Sequence, residues 1–158
     1  MESIEPVTQP ALSESQYKAQ VRRSIDLLWA ELPHLFERDL SYDLYTSDIY
    51  FRDPVNTFKG KFNYRIIFWT LRFHARLFFT TIRFDVHSIS HPVPDQIVAT
   101  WTVDGSLRLP WRPQLCFNGT STYTLNAAAK IYQHVDTWDR KPSEILRQFW
   151  GTNSANHS

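Results

Sequence analysis

Between Lys61 and Phe79 the chain carries apolar side chains nearly all the way round a helix. Phe62, Ile66, Trp69, Phe73 and Leu77 recur at threes and fours and share one face, while Ile67, Phe68, Leu71, Phe78 and Phe79 fill most of the rest. A helix of about 19 residues, roughly 28 Å long at 1.5 Å per residue, has to be covered by something, and a curved sheet is long enough to do it. Just upstream, Asp48-Ile49-Tyr50-Phe51-Arg52-Asp53-Pro54 alternates polar and apolar as a strand does and ends on a carboxylate followed by a proline. Gly60 marks the turn into the helix.

The flanking sequence supplies what such a helix needs. From Glu14 on, Tyr17, Val21, Ile25, Leu28 and Leu32 recur at helical spacing, with Ser13 and Gln16 placed for an N-cap and capping box. Pro33 kinks or ends that helix, and a shorter helical piece, His34 to Asp39, closes one end of the fold. Beyond the long helix the period changes to two. Thr80 to Ser90 sets Ile82, Phe84 and Val86 against Arg83, Asp85 and His87, and Gln96 to Val103 sets Ile97, Ala99, Trp101 and Val103 against Val98, Thr100 and Thr102. Leu115 to Leu125 puts Phe117, Gly119, Ser121 and Tyr123 on one face, and Ile131 to Trp138 does the same for Tyr132, His134, Asp136 and Trp138. Pro110-Trp111-Arg112-Pro113 does not fit a central ladder and reads as a rim loop or edge bulge. Pro142, Ser143 and Glu144 open a short terminal helix. Residues 1–13 read as a disordered lead and 151–158 as a disordered tail, which leaves 14–150 as a single domain. The order predicts an α+β domain with helices on one side of a bent antiparallel sheet.

Several function classes are disfavoured. With 17 Lys+Arg against 16 Asp+Glu, a net charge of +1, there is no electrostatic footprint for nucleic acid. Cys116 is the single cysteine, so no disulfide forms within the chain and a reducing compartment fits. Met1 to Pro6 is acidic and lacks an apolar core, unlike a secretory signal or an Arg-rich transit peptide. The longest apolar stretch, around Ile66–Leu71, is interrupted by Thr70 and falls far short of a membrane span. Only 4 glycines are present, with no phosphate-binding loop, and no His or Cys spacing marks a metal site, so no cofactor and no metal are expected. Rings make up 15% of the chain, with 6 Trp, 7 Tyr and 11 Phe, enough for either a well-filled core or an aromatic-lined pocket for a flat apolar ligand.

Leu44-Tyr45 followed by Asp48 to Pro54 ahead of Gly60, together with the closing run Lys130-Ile131-Tyr132-Gln133-His134-Val135-Asp136, resembles the nuclear transport factor 2-like (SnoaL-like) superfamily over about residues 17–150. More narrowly, Asp53-Pro54-Val55-Asn56, Ile67-Phe68-Trp69, Leu71-Arg72-Phe73 and Pro110-Trp111 look like an uncharacterised family of oxygenic phototrophs with no assigned reaction. The resemblance implies a cone-shaped curved antiparallel sheet packed on the N-terminal helices and one long central helix. It further implies a small apolar molecule as partner, a homodimer through the sheet face bearing Thr100, Thr102, Thr120, Thr122 and Thr124, and a cytoplasmic protein, or one of the plastid stroma if processed.

In the ketosteroid isomerase branch, the Asp corresponding to Asp53 is the base that moves a proton next to a carbonyl. The other reading of Asp53 is a carboxylate that caps the following turn or pairs with Arg72 or Arg76. The isomerase pattern then departs from this chain: its oxyanion-donating tyrosine falls at Trp29 and its protonated acid at Ser121, and losing that pair of donors removes most of the enolate's stabilisation. His134 and Asp136 complete the candidate catalytic set with Asp53, with a buried structural His–Asp pair as the alternative. Trp69, Phe73, Trp101, Trp111, Tyr123 and Trp138, with Trp29 and Ser121, are the candidate ligand wall. Pro110-Trp111, Lys130-Ile131 and Pro142-Ser143-Glu144 are similar to carotenoid-binding C-terminal domains. Three functions follow: a domain that binds a small apolar or aromatic molecule; a SnoaL-type isomerase, cyclase or dehydratase using Asp53 and His134 as acid and base; or a carotenoid-type pigment carrier or dimerising interaction module.

Overall fold

The computed structural model describes residues 11–150, so the tail expected at 151–158, and all but residues 11–13 of the lead, lie outside the described residues. Helix α1 (Glu14–Glu31) begins at a complete capping box: the Ser13 hydroxyl accepts the Gln16 N–H at 3.2 Å and the Gln16 side chain accepts the Ser13 N–H at 2.9 Å. Pro33 stops it in a 3-10 turn, Leu32–His34, and the expected shorter helix over His34–Asp39 is that turn and the loop after it. The Glu31 carboxylate then accepts the Ser41 N–H and hydroxyl, tying the helix end to the connector.

Strand β1 (Tyr45–Arg52) turns back through Asp53–Asn56 into the short β2 (Thr57–Lys59), and the long helix α2 (Lys61–Phe78) follows from Gly60, whose φ of 100° lies in the region that glycine tolerates. Then come β3 (Phe79–Val93), β4 (Gln96–Leu107), β5 (Gln114–Leu125), β6 (Ile131–Trp138) and helix α3 (Pro142–Trp150). The six strands make one open sheet in the order β2-β1-β6-β5-β4-β3. All ladders are antiparallel except β1–β6, which is parallel, so the last strand of the sequence lies in the middle of the sheet. Register shifts along the β3–β4 ladder after Phe79, Val86 and Ser90 bend the sheet into a trough. One core fills it, with Ile49 and Phe51 from β1, Ile97, Ala99, Trp101 and Val103 from β4, Leu115 and Tyr123 from β5, and Tyr64 and Phe68 from α2. The threonines of β4 and β5 alternate with these residues and occupy the opposite face. Tyr132 is half-exposed and does not join His134 on the inner face, because the β5–β6 register shifts between Thr124 and Leu125.

α2 is covered on the face away from the one that carries Trp69 and Phe73, the two residues expected in the ligand wall. Tyr64, Phe68, Arg72 and Ala75 turn inward, while Phe62 (75% exposed), Ile66, Trp69 (60%), Phe73 (50%) and Leu77 face away from the sheet. Two apolar faces compete along this helix, and polar anchors decide between them. The Tyr64 hydroxyl finds a buried partner on β6, and the Arg72 guanidinium meets the Asp39 carboxylate at 3.1 Å.

Candidate functional site

Between the concave sheet face and α2 lies a cavity of about 440 Å³, within the roughly 300–1,000 Å³ typical of small-molecule pockets. Its walls are mostly apolar: Leu32, Leu35, Phe36 and Leu40 at one end, Ile67, Phe68, Leu71 and Ala75 from α2, and an aromatic file across the sheet. That file runs Phe84, Trp101, Phe117, Trp138 on four successive strands, with ring centroids 4.8, 5.9 and 5.1 Å apart. Gly119, paired with Trp101 across the β4–β5 ladder, keeps space open for the indole, since a Cβ there would run into the ring.

At the sheet centre the apolar wall is broken by one polar chain. The register sets Phe51 opposite His134 on one side and Tyr123 opposite it on the other, with Ser121 opposite Asp136. The Tyr123 ring lies 4.4 Å from the imidazole, and the Phe51 ring meets it edge-on at 4.9 Å. The Trp101 indole N–H donates to Ser121 Oγ at 2.9 Å, the Ser121 hydroxyl donates to Asp136 Oδ1 at 2.6 Å, and His134 Nε2 meets the same oxygen at 2.5 Å. A carboxylate only accepts, so Nε2 carries a proton, and in the neutral imidazole Nδ1 is then the acceptor. The Tyr64 hydroxyl donates to that Nδ1 at 2.8 Å. Ser121, His134 and Tyr64 are buried, so each depends on these bonds. Both donors to Asp136 fall on Oδ1, and Oδ2 has no protein donor among the described residues.

Burial pushes the Tyr64 hydroxyl well above the ordinary tyrosine value, reinforced by neighbouring Tyr45, Tyr123 and Asp136. Burial, then Tyr45 and Asp136, does the same for Tyr123. Both stay neutral O–H groups across the physiological range.

Of the residues singled out in the sequence, Asp53, Trp101, Ser121, Tyr123, His134, Asp136 and Trp138 line the cavity. Asp53 is half-buried at its edge, where Oδ1 accepts the N–H groups of Val55 and Asn56 at 2.7 and 2.6 Å. It caps the turn, while Arg72 pairs with Asp39. The other four sit elsewhere. Trp29 is half-exposed on α1, and Trp69 and Phe73 stack on the outward face of α2 with centroids 5.5 Å apart. Trp111, in the rim loop, donates its indole N–H to the Phe149 carbonyl. Tyr64 and Phe51 were missed as site residues. Tyr64 had a usable signal, being the lone hydroxyl on the face shared by Phe68 and Ala75, but its partner is 70 residues away in sequence. Among the described residues no three His, Cys, Asp or Glu side chains gather as a metal site would.

Residues 22–134, more than half of the sequence, match the family described as an uncharacterized conserved protein, DUF2358. The chain belongs to this family. No protein of curated function matches it. DUF2358 here has the nuclear transport factor 2-like fold, as solved structures of low sequence identity show. An NTF2-like protein from Anabaena variabilis aligns over 84% of this chain and 97% of its own with a TM-score of 0.58 at 13% identity. The epoxide hydrolase/cyclase-like enzyme SalBIII, of pyran ring formation in the polyether salinomycin, aligns over 78% and 93% with a TM-score of 0.55 at 14% identity. A phenazine biosynthesis-related protein from Pseudomonas aeruginosa aligns over 92% and 99% with a TM-score of 0.55 at 11% identity. The DUF2358 match runs from α1 to His134 and takes in Tyr64, Trp101 and Ser121 but stops short of Asp136.

Proposed function

We propose that this DUF2358 protein binds a small, largely apolar molecule in the cavity between α2 and the sheet, oriented by one polar contact at Asp136. The observation that carries this reading is the pairing of an aromatic-walled hollow with a single buried polar chain in which one oxygen, Asp136 Oδ2, has no protein donor among the described residues. An apolar body gains from leaving water for such walls at roughly 25 cal/mol per Å² buried. A hydroxyl or N–H on the same molecule finds an acceptor at the sheet centre, which sets its direction. Ser121 and His134 bond Asp136 directly and fix its rotamer, with Tyr64 holding His134 from the other nitrogen.

Titration with the apolar dye 1-anilinonaphthalene-8-sulfonate tests the reading. Saturable uptake with quenching of tryptophan fluorescence is expected, and Val103→Trp, which fills the hollow from β4, is expected to abolish it. Uptake unchanged by Val103→Trp in a folded protein would overturn the proposal.

A second reading, a proton-transferring isomerase, cyclase or dehydratase, draws on the same geometry but shifts the roles expected of Asp53 and His134. Asp53 is engaged as a turn cap and His134 has both nitrogens bonded, so the atom placed to take a proton from a bound carbon acid is Asp136 Oδ2, with His134 behind it as a positioning residue. Asp136→Asn would then stop turnover and leave affinity for an apolar dye intact.

A further inference from the structure

The outward face of α2 is an apolar stripe that no other element of the described chain covers. Phe62, Ile66, Trp69, Phe73 and Leu77 are each at least 44% exposed and follow one another at four, three, four and four residues, one line along an 18-residue helix. A contiguous exposed patch of this kind marks a contact surface. The charges beside it indicate what it contacts. Lys61 to Phe78 contains Lys61, Arg65, Arg72 and Arg76 and no Asp or Glu, although acids and bases nearly balance over the whole chain. At 100° per residue, Arg65 and Arg76 fall on one shoulder of the stripe, and both are exposed. At the C-terminal end, the Arg108 N–H donates to the Phe78 carbonyl, which sets exposed Arg108 beside exposed Phe78 and begins the rim loop that carries exposed Trp111 and Arg112.

Apolar and aromatic residues along one line, with arginines on the shoulder and no acid on the helix itself, are the pattern of a helix that lies in a membrane interface, although Arg65 also packs over the Tyr42 ring and Arg76 donates to the Glu37 carbonyl. A second copy of the chain fits poorly. Two-fold pairing of this face would bring the exposed Arg65 and Arg76 of two copies together with no acid on either helix to offset them. The opposite shoulder adds a reason for the contact: Thr70 and His74, next to the stripe, line the cavity. We infer that the α2 outer face docks the protein peripherally on an anionic lipid bilayer, with the cavity edge at the lipid surface, so that an apolar ligand passes between bilayer and cavity. The docking itself does not depend on the cavity reading; the passage of ligand does.

The test uses the full 158-residue chain with vesicles of phosphatidylcholine alone or with about one-third phosphatidylglycerol. Co-sedimentation with the anionic vesicles is expected, at least about tenfold weaker on neutral ones and weaker again at high salt. Trp69→Glu with Phe73→Glu, both exposed and outside the cavity wall, is expected to cut binding at least about tenfold without moving the melting temperature. Equal sedimentation of wild type and double variant would overturn the inference. So would a wild type that ignores anionic vesicles and instead forms a dimer, or retains an acidic protein, that the double variant loses. Dye uptake measured without vesicles separates the two proposals: docking with no uptake leaves the surface standing and removes the cavity reading, whereas uptake without docking does the reverse.

Discussion

Both nitrogens of His134 are engaged, Nδ1 by the Tyr64 hydroxyl and Nε2 by Asp136, and the ring is held between Tyr123 and Phe51. Removing one member of such a chain leaves its buried neighbour without its protein partner. Tyr64→Phe keeps the ring and deletes the donor to Nδ1, so a loss of about 1–3 kcal/mol is expected in urea unfolding. The pH dependence has a definite sign. Burial lifts Tyr64 and Tyr123 well above tyrosine's ordinary value of 10.0, and Tyr45 is raised as well, again by burial first. Because the folded state holds these protons more tightly than the unfolded chain, their contribution is complete below pH 10 and declines as pH climbs beyond it. Tyrosinate absorbance from these three residues is therefore expected to rise together with loss of tertiary circular dichroism, not ahead of it.

Along α2 the two apolar faces differ in what they do for the fold. Phe68 is buried and meets Tyr64 edge-on with ring centroids 4.8 Å apart, whereas Trp69, the next residue, stacks only on Phe73 at the surface. Phe68→Ala is expected to cost about 3–5 kcal/mol through lost contact and a larger void. Trp69→Ala is expected to stay within about 0.5 kcal/mol. Thermal unfolding of the pair separates the faces, and equal losses would mean that the outward face is covered. Periodicity alone does not choose the inner stripe of a helix apolar nearly all round, and Trp69 and Phe73, expected in the ligand wall, lie on the outer one. The inner line prevails because its polar atoms have partners, Asp39 for Arg72 and His134 for Tyr64, that come from remote parts of the sequence. The strands were more legible. β6 runs Ile131–Trp138 as its alternation indicates, and the inward set Ile97, Ala99, Trp101 and Val103 of β4 is buried as read.

In the whole sheet, β6 lies between β5 and β1, while β2 and β3 are the edges. Hydrogen exchange should follow that order, slowest in the amides of β6 and its neighbours and fastest along β2; rapid exchange across β6 would contradict the parallel β1–β6 ladder. That ladder joins segments some eighty residues apart and is what brings Phe51 against His134. Period and capping signals act over a few residues, so the sequence alone determined the starts of the three α-helices and, strand by strand, most of the inward positions, with Tyr132 the exception. Which strand neighbours which, and which side of α2 meets the sheet, depend on pairing and hydrogen-bond partners far apart in the chain. Tertiary structure alone therefore decided that Asp53 caps a turn, that Tyr64 joins His134, and that Trp69 and Phe73 face outward.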